Sequence, residues 1–200
     1  MPNWCGNKLI IDVSKCEKGN EFEEKLVWLK IQTEQPDGLF EYMCPPEDYP
    51  DEGGGYGFSD LYGTKWDIDV PDLSSFDEEL KEFCSYETAI YKDEGGRYVL
   101  VFRTAWGPPC GFFDKLMERN EGMTGMLLYC EQGLQGNVGA YNCDIEYHYD
   151  IGEFCEDFGI KTNSEDDDED SFWEDEYMDK ALEQLGEEVG ESYGYIDYGG

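Results

Sequence analysis

The stretch TAIYKDEGGRYVLVFR, residues 88–103, decides the fold class of this chain. Two runs rich in β-branched and aromatic side chains flank the four residues DEGG. A short glycine-containing break between such runs is typical of a β-hairpin. The pattern predicts that Thr88–Lys92 pairs with Arg97–Arg103. Strands joined by a tight turn run antiparallel, so the sheet around this hairpin is predicted to be antiparallel.

Further strands are predicted on both sides of the hairpin. Leu9, Ile11 and Val13 recur at every second position of Trp4–Val13, which is the two-residue period of a strand. The other predicted strands are Thr64–Val70, Met126–Glu131, Gly136–Tyr141 and Ile145–Tyr149.

Two helices are predicted between these strands. Glu21–Lys30 has its apolar residues on one helical face, and the Pro108-Pro109 pair opens a second helix that ends near residue 122. Ser75–Phe83 fits one or two further helical turns, whereas Gln35–Gly57, rich in proline, glycine and acids, predicts a long loop. The order of elements predicts an α+β fold with helices on one face of an antiparallel sheet.

Charge divides the chain into two regions. The 200 residues carry 48 acids and 14 bases, a net charge of −34, and 18 of the acids lie in residues 151–200 with only two bases. We predict an α+β body over 1–150 and an acidic carboxy-terminal extension over 151–200. A field of this sign repels nucleic acid and anionic membranes, so the expected partners are basic.

The extension is predicted to contain a helix at about 171–190. Ser171 followed by Glu174 fits a capping box, and apolar residues then recur every four positions. The apolar positions are Trp173, Tyr177, Ala181, Leu185 and Val189. A helix with this stripe is expected to dock on the body and to turn its acids outward.

The acids of the extension form the predicted partner-binding surface. They comprise a continuous acidic run and the outer positions of the helix: Glu165, Asp166, Asp167, Asp168, Glu169, Asp170, Glu174, Asp175, Glu176, Asp179, Glu183 and Glu187. Carboxylates at i, i+3 and i+4 lie about 5–6 Å apart on a helix, close enough to imitate a row of phosphates. Solubility alone needs a net charge of only about 8 in a small domain. Trp173 or the tyrosines at 193–198 would supply an apolar anchor.

No motif predicts a catalytic or cofactor site. The eight cysteines never form a C-x-x-C pair and His148 is the only histidine, so neither zinc nor a nucleophile–histidine motif is indicated. GGGYG at 53–57 lacks the G-K-[ST] of a phosphate loop, and the acidic run fails the spacing of a calcium loop. We predict no enzyme activity, no metal and no cofactor. With no signal peptide and no apolar run of about 18–20 residues, the protein is expected in the cytoplasm.

Three tryptophan-containing segments resemble one family. They are MPNWCGNKLII at the amino terminus, YGTKWDIDV at 62–70 and FRTAWGPP at 102–109, and YCEQGLQGNVGAY at 129–141 resembles the same family. Together they are similar to the YubB-type ferredoxin-like domain of phage and plasmid proteins, over residues of about 1–145. The resemblance implies a ferredoxin-like sheet and a mobile-element origin, and it implies no iron–sulfur cluster or active site. We expect Trp4, Trp66 and Trp106 to pack in the core rather than to stack on bases.

Three functions are compatible with these features. The first is a phage- or plasmid-encoded anti-defence inhibitor, a DNA mimic that blocks the nucleic-acid-binding cleft of a CRISPR effector, a restriction enzyme or a similar host protein. The second is a ferredoxin-like enzyme or small-ligand binder that uses His148, Lys65 or a buried carboxylate. The third is an acidic adaptor without mimicry. We expect no direct binding of nucleic acid unless Lys65, Arg97 and Arg103 form a local basic patch, and the oligomeric state is left open.

Overall fold

One antiparallel sheet of six strands organises the molecule, in the order β2-β3-β1-β4-β5-β6. A computed structural model describes residues 4–31, 38–46, 57–65, 67–68, 89–131, 137–142, 146–159 and 175–193. The strands are β1 (Trp4–Asp12), β2 (Ala89–Lys92), β3 (Tyr98–Ala105), β4 (Thr124–Glu131), β5 (Asn137–Tyr141) and β6 (Glu146–Asp150). The helices are α1 (Gly19–Ile31), α2 (Leu39–Met43), α3 (Gly57–Tyr62), α4 (Cys110–Arg119), α5 (Ile151–Asp157) and α6 (Asp175–Val189). The predicted α+β class with an antiparallel sheet is confirmed.

The predicted hairpin is β2 and β3, with Lys92 opposite Tyr98. Asp93 closes the turn, because its backbone N–H donates to Arg97 O at 2.9 Å and its carboxylate accepts the Arg97 N–H at 2.8 Å. Gly96 adopts a φ of 79°, a conformation that favours glycine. The hairpin then places β3 beside β1, and these two strands pair along their full described length.

Side chains of the central strands fill two separate cores, one on each face of the sheet. Leu9 and Ile11 of β1 belong to the first core, and Ile10 belongs to the second. Helices α1 to α4 cover the first face, for example through Phe22 and Phe112. This arrangement agrees with the prediction of helices on one face of the body. It also explains why β1 is buried through three consecutive apolar residues, since a strand covered on both sides has no solvent face.

The second face of the sheet is covered by α5 and α6, together with the residues that follow α6. Phe154 of α5, Leu182 and Leu185 of α6, and Tyr193 are all buried against this face. The sheet therefore lies between two helical layers, whereas the pattern of residues 1–150 predicted a single layer on one face.

The prediction of a continuous loop over Gln35–Gly57 is wrong for the described residues 38–46, which contain α2. Helix α2 is short, but Leu39, Phe40 and Met43 are buried in the first core. The ring of Phe40 lies 4.4 Å from that of Phe112, between centroids. A five-residue helix among prolines and glycines gives too few periodic positions to be recognised, and it is stabilised by distant contacts.

The predicted strand Thr64–Val70 is also wrong, because its described residues, 64, 65, 67 and 68, form no strand. Instead, the carboxylate of Asp67 accepts backbone N–H groups from Phe40 and Glu41 at 2.8 and 2.9 Å, which satisfies the first turn of α2. Burial raises the pKa of Asp67, and these hydrogen bonds oppose the rise. The helical turns predicted over Ser75–Phe83 lie outside the described residues.

Candidate functional site

Helix α6 carries five of the predicted partner-binding acids. Glu183 and Glu187 are exposed on its outer side. The backbone of α6 also includes Asp175, Glu176 and Asp179. The remaining predicted acids, Glu165–Asp170 and Glu174, lie outside the described residues.

The carboxy-terminal end of α6 is fixed to the sheet by three polar contacts. Both guanidinium nitrogens Nη1 and Nη2 of Arg97 contact the carboxylate of Glu191, with Nη2 to Oε2 at 3.0 Å. Lys8 Nζ donates to Ser192 O. Tyr193 Oη, which is buried, donates to Gly139 O at 2.6 Å. These contacts reach β1, β5 and the residue before β3, so the apolar side of α6 is held against the sheet.

Tyr193 cannot be the exposed anchor that the sequence suggested. Its side chain is 3% exposed, and burial raises the pKa of its phenol. Its hydroxyl is committed to a strand carbonyl within the fold. Trp173 and residues 194–198, the other suggested anchors, lie outside the described residues.

Helix α5 adds acids that sequence analysis did not assign to the surface. Glu153, Glu156 and Asp157 are exposed, while Phe154 between them is fully buried. The sequence does contain the pattern E-x-x-E-D around a phenylalanine. A helix of seven residues directly after a strand is too short, however, for its periodicity to be recognised. With Glu183, Glu187 and Glu188 of α6, these acids make up what we call the acidic α5–α6 surface.

Tyr149 of β6 is affected electrostatically by acids of both helices. Burial raises the pKa of the Tyr149 phenol, and the carboxylates of Glu188 and Asp157 raise it further. The pKa of this one β6 side chain is therefore raised by carboxylates from both helices. The described side chains of α5 and α6 include six acids and no base. Lys180 is the one base in the sequence of the two helices, and its side chain lies outside the described ones.

The acidic α5–α6 surface has a cost in stability. Glu183 and Glu187 are four residues apart, and Glu153 is three and four residues from Glu156 and Asp157. Each like-charge pair at this spacing destabilises a helix by roughly 0.2–0.5 kcal/mol. Neither helix has a basic residue in its last turn, where the helix dipole favours cations. The acids Asp157, Glu187 and Glu188 in the last turns therefore oppose folding, as do the like-charge pairs, whereas Glu153 in the first turn of α5 is favourable.

The three cations considered for nucleic-acid binding do not form a single patch. Arg97 precedes β3 and contacts Asp93 and Glu191. Arg103 follows it by six residues along an extended strand, a distance of roughly 20 Å. Lys65 lies at the end of β3 that is distant from Arg97, where its backbone N–H donates to Ala105 O at 3.1 Å.

The core position predicted for Trp106 is wrong. Its side chain is 47% exposed, and it is the only exposed large hydrophobic residue in the described part of the chain. Its φ of 81° is also the only positive value at a described non-glycine residue. That conformation costs a bulky residue roughly 1–2 kcal/mol. Trp4 is half-buried, and Trp66 lies outside the described residues.

A buried polar network supports the turn that carries Trp106. Asn7 Nδ2 donates to Thr104 Oγ1 at 2.8 Å, and Thr104 Oγ1 donates to Gly107 O at 2.7 Å. Asn7 and Thr104 are both fully buried. The Lys65 ammonium lies 4.4 Å from the centroid of the indole. The strained backbone and the exposed ring are thus set by the interior of the protein.

His148 lies exposed in β6, and its Nδ1 is 3.0 Å from Tyr129 Oη. Tyr129 reaches it across Gly139, where a Cβ would stand 2.4 Å from the phenolic oxygen. Burial raises the pKa of Tyr129, so the phenol stays neutral. Within the described ranges, no group of three or more histidine, cysteine or acidic side chains is placed to hold a metal ion.

A search against protein-family models, curated proteins and solved structures found no match to this chain. Among the described residues, no helix has the length and apolar character needed to cross a membrane. The function has to be inferred from the site itself.

Proposed function

We propose that this chain is a non-enzymatic inhibitor that mimics nucleic acid. The acidic α5–α6 surface would occupy the basic cleft in which a host defence protein, such as a CRISPR effector or a restriction enzyme, normally holds DNA or RNA. The observation that carries the proposal is the segregation of charge. In sequence, α5 and α6 contain nine acids and one base, Lys180, whereas α1 and α4 contain five acids and four bases.

The spacing of the acids suits this role. Glu183 and Glu187 occupy i and i+4 on α6, so their Cβ atoms lie about 5–6 Å apart. Phosphates along one DNA strand advance about 3.4 Å per residue along the axis, a spacing of the same order. The acidic run Glu165–Asp170 joins α5 to α6 in the chain and would extend the negative surface. Arginine and lysine side chains of the partner would pair with these carboxylates.

The energetic cost of the surface favours a role in binding. Acids in the last turns of α5 and α6 oppose the helix dipole, and the like-charge pairs along each helix oppose one another. Dispersing the same charge over the molecule would keep the protein soluble without these penalties. A partner with a basic cleft would offset them on binding.

The origin we propose follows from the family resemblance. Strands β2-β3-β1-β4 are adjacent, and α1 and α4 lie in the two crossovers that a β-α-β-β-α-β ferredoxin-like unit requires. This order supports a YubB-type ferredoxin-like body, extended by β5 and β6. Such a protein from a phage or plasmid would act stoichiometrically in the host cytoplasm, without metal or cofactor. The acidic carboxy-terminal helix would be its specific addition.

Two variants with the same net charge test the proposal. The surface variant carries Glu156→Gln, Asp157→Asn, Glu183→Gln and Glu187→Gln. The control variant carries Glu21→Gln, Glu24→Gln, Glu118→Gln and Glu121→Gln, all exposed residues on or beside α1 and α4. Each immobilised protein would be exposed to bacterial host lysate at about 100 mM salt and at about 500 mM salt.

The expected result is capture of a nucleic-acid-binding protein by the original chain and by the control variant at low salt only. Added duplex oligonucleotide should release it, because the two ligands would share one cleft. The surface variant should capture markedly less. A partner that is retained at high salt and is indifferent to both variants would favour the acidic adaptor instead.

A further inference from the structure

We propose that Trp106 and Lys65 form a binding site for a nucleotide, with the base stacked on the exposed indole and the phosphate near the lysine ammonium. This site lies on the turn that follows β3. It does not depend on the acidic α5–α6 surface, and it is a different function from mimicry. The inference rests on the exposure of the ring, on the way its turn is supported and on the local charge.

A second lysine–aromatic pair in the same protein shows what is unusual about this one. The Lys92 ammonium lies 4.5 Å from the centroid of Tyr98, close to the 4.4 Å of the Lys65–Trp106 pair. The ring of Tyr98 is 8% exposed, however, and it packs in the first core. Trp106 is 47% exposed. The Tyr98 pair thus closes the edge of a core, whereas the Trp106 pair leaves an aromatic surface open to a ligand.

Three distant segments of the chain meet to present the indole. The Asn7 amide of β1 donates a hydrogen bond to the Thr104 hydroxyl at 2.8 Å. The Thr104 hydroxyl donates in turn to the carbonyl of Gly107 at 2.7 Å. The Lys65 segment joins them through its backbone bond to Ala105. Gly63, with a φ of 86°, allows the backbone to approach Pro108, since a Cβ there would lie 2.9 Å from the Pro108 carbonyl. A ring supported in this way is preorganised for binding.

The chemistry of the site selects its ligand. An exposed indole offers a stacking surface for any planar ring, and bases stack on aromatic side chains without sequence preference. An ammonium beside the indole favours an anionic substituent and disfavours a cationic one. One ring and one lysine match one base and one phosphate. A long nucleic acid is disfavoured, since Arg97 is engaged by carboxylates far along β3 and the whole chain has a net charge of −34.

The direct test is calorimetric titration of the folded chain with adenosine 5′-monophosphate. Adenosine supplies the ring alone, inorganic phosphate supplies the anion alone, and a single-stranded oligonucleotide supplies the nucleotide within a polymer. We expect saturable binding of the monophosphate, with adenosine and phosphate each weaker by about tenfold or more. Tighter binding of the oligonucleotide than of the monophosphate would overturn the proposal, because the site would then belong to strand ends or single strands. A monophosphate that binds no better than phosphate would overturn the proposal.

Two variants distinguish a loss of ligand binding from a loss of folding. Trp106→Gly removes the ring and relieves the positive φ, so it should leave thermal stability unchanged or higher while binding falls by about tenfold or more. Lys65→Met should lose the preference for the monophosphate over adenosine. Lys92→Met is the matched control and should bind as the original does. Undiminished binding by Trp106→Gly would contradict the assignment.

Discussion

The two helical layers of this protein cover the same sheet but carry different charge. On one face, α1 and α4 expose acids and bases together, as most soluble proteins do. On the other, α5 and α6 contain nine acids and one base, Lys180. Both layers bury large apolar side chains against the sheet. The two faces are therefore similar in their buried apolar contacts, and they differ in the charge of the side chains on the solvent side.

This difference separates two explanations for the acidity of the chain. If repulsion between molecules were the only requirement, the position of each acid would matter little. Acids with almost no bases on two helices introduce like-charge pairs, as between Glu183 and Glu187, and unfavourable helix ends, as at Glu187 and Glu188 in the last turn of α6. An arrangement with such a cost is expected where a partner recognises it.

The largest effect should come from removing the buried side chains on which each layer rests. Leu185 of α6 and Leu116 of α4 are 0% and 1% exposed. Leu185→Ala and Leu116→Ala should each lower the free energy of unfolding by about 2–5 kcal/mol. Denaturant unfolding measures both. A much smaller loss for Leu185→Ala would mean that α6 contributes little to the fold.

An intermediate effect is expected where the chain leaves α6. Tyr193→Phe removes the hydrogen bond to Gly139 O and should cost about 1–2 kcal/mol at neutral pH. The folded state raises the pKa of Tyr193, so this contribution is complete below about pH 10 and is lost as the pH rises further. The stability difference between the two proteins should therefore shrink in alkaline solution. A constant difference up to about pH 11 would contradict this account.

The smallest effect is expected from the charges themselves, and it should have opposite signs in the two layers. Glu187→Lys and Glu188→Lys place cations at the carboxy-terminal end of α6 and should each stabilise by about 0.3–1 kcal/mol. Arg119→Glu in the last turn of α4 should destabilise by a similar amount. Thermal unfolding at low salt resolves both, and high salt should reduce both. If the α6 substitutions destabilise the fold, its acids have a structural role.

Much of the fold could be predicted from local pattern. The hairpin of β2 and β3 was predicted from glycines between two apolar runs, and α1, α4, β4, β5 and β6 were predicted from their periodicity. These elements make most of their backbone hydrogen bonds with near neighbours in sequence or with strands of similar pattern. Their residue types therefore indicate their structure directly.

The elements that were missed depend on contacts between distant residues. Helix α2 is capped by Asp67, 27 residues after Phe40, in a segment that was predicted to be a strand. Arg97 pairs with Glu191 across 94 residues, so it was wrongly grouped with the cations of a possible patch. The exposure of Trp106 follows from the buried pair of Asn7 and Thr104. No local periodicity encodes these pairings.

The central claim is that the position of the acids, and not their total, determines binding. The measurement that tests it is the dissociation constant of the captured partner against salt, from about 100 to 500 mM, for the original chain and the two four-residue variants. We expect the surface variant to bind more weakly with a lower salt slope, and the control variant to match the original. Equal slopes and affinities for the two variants would contradict it, because net charge alone would then explain the interaction.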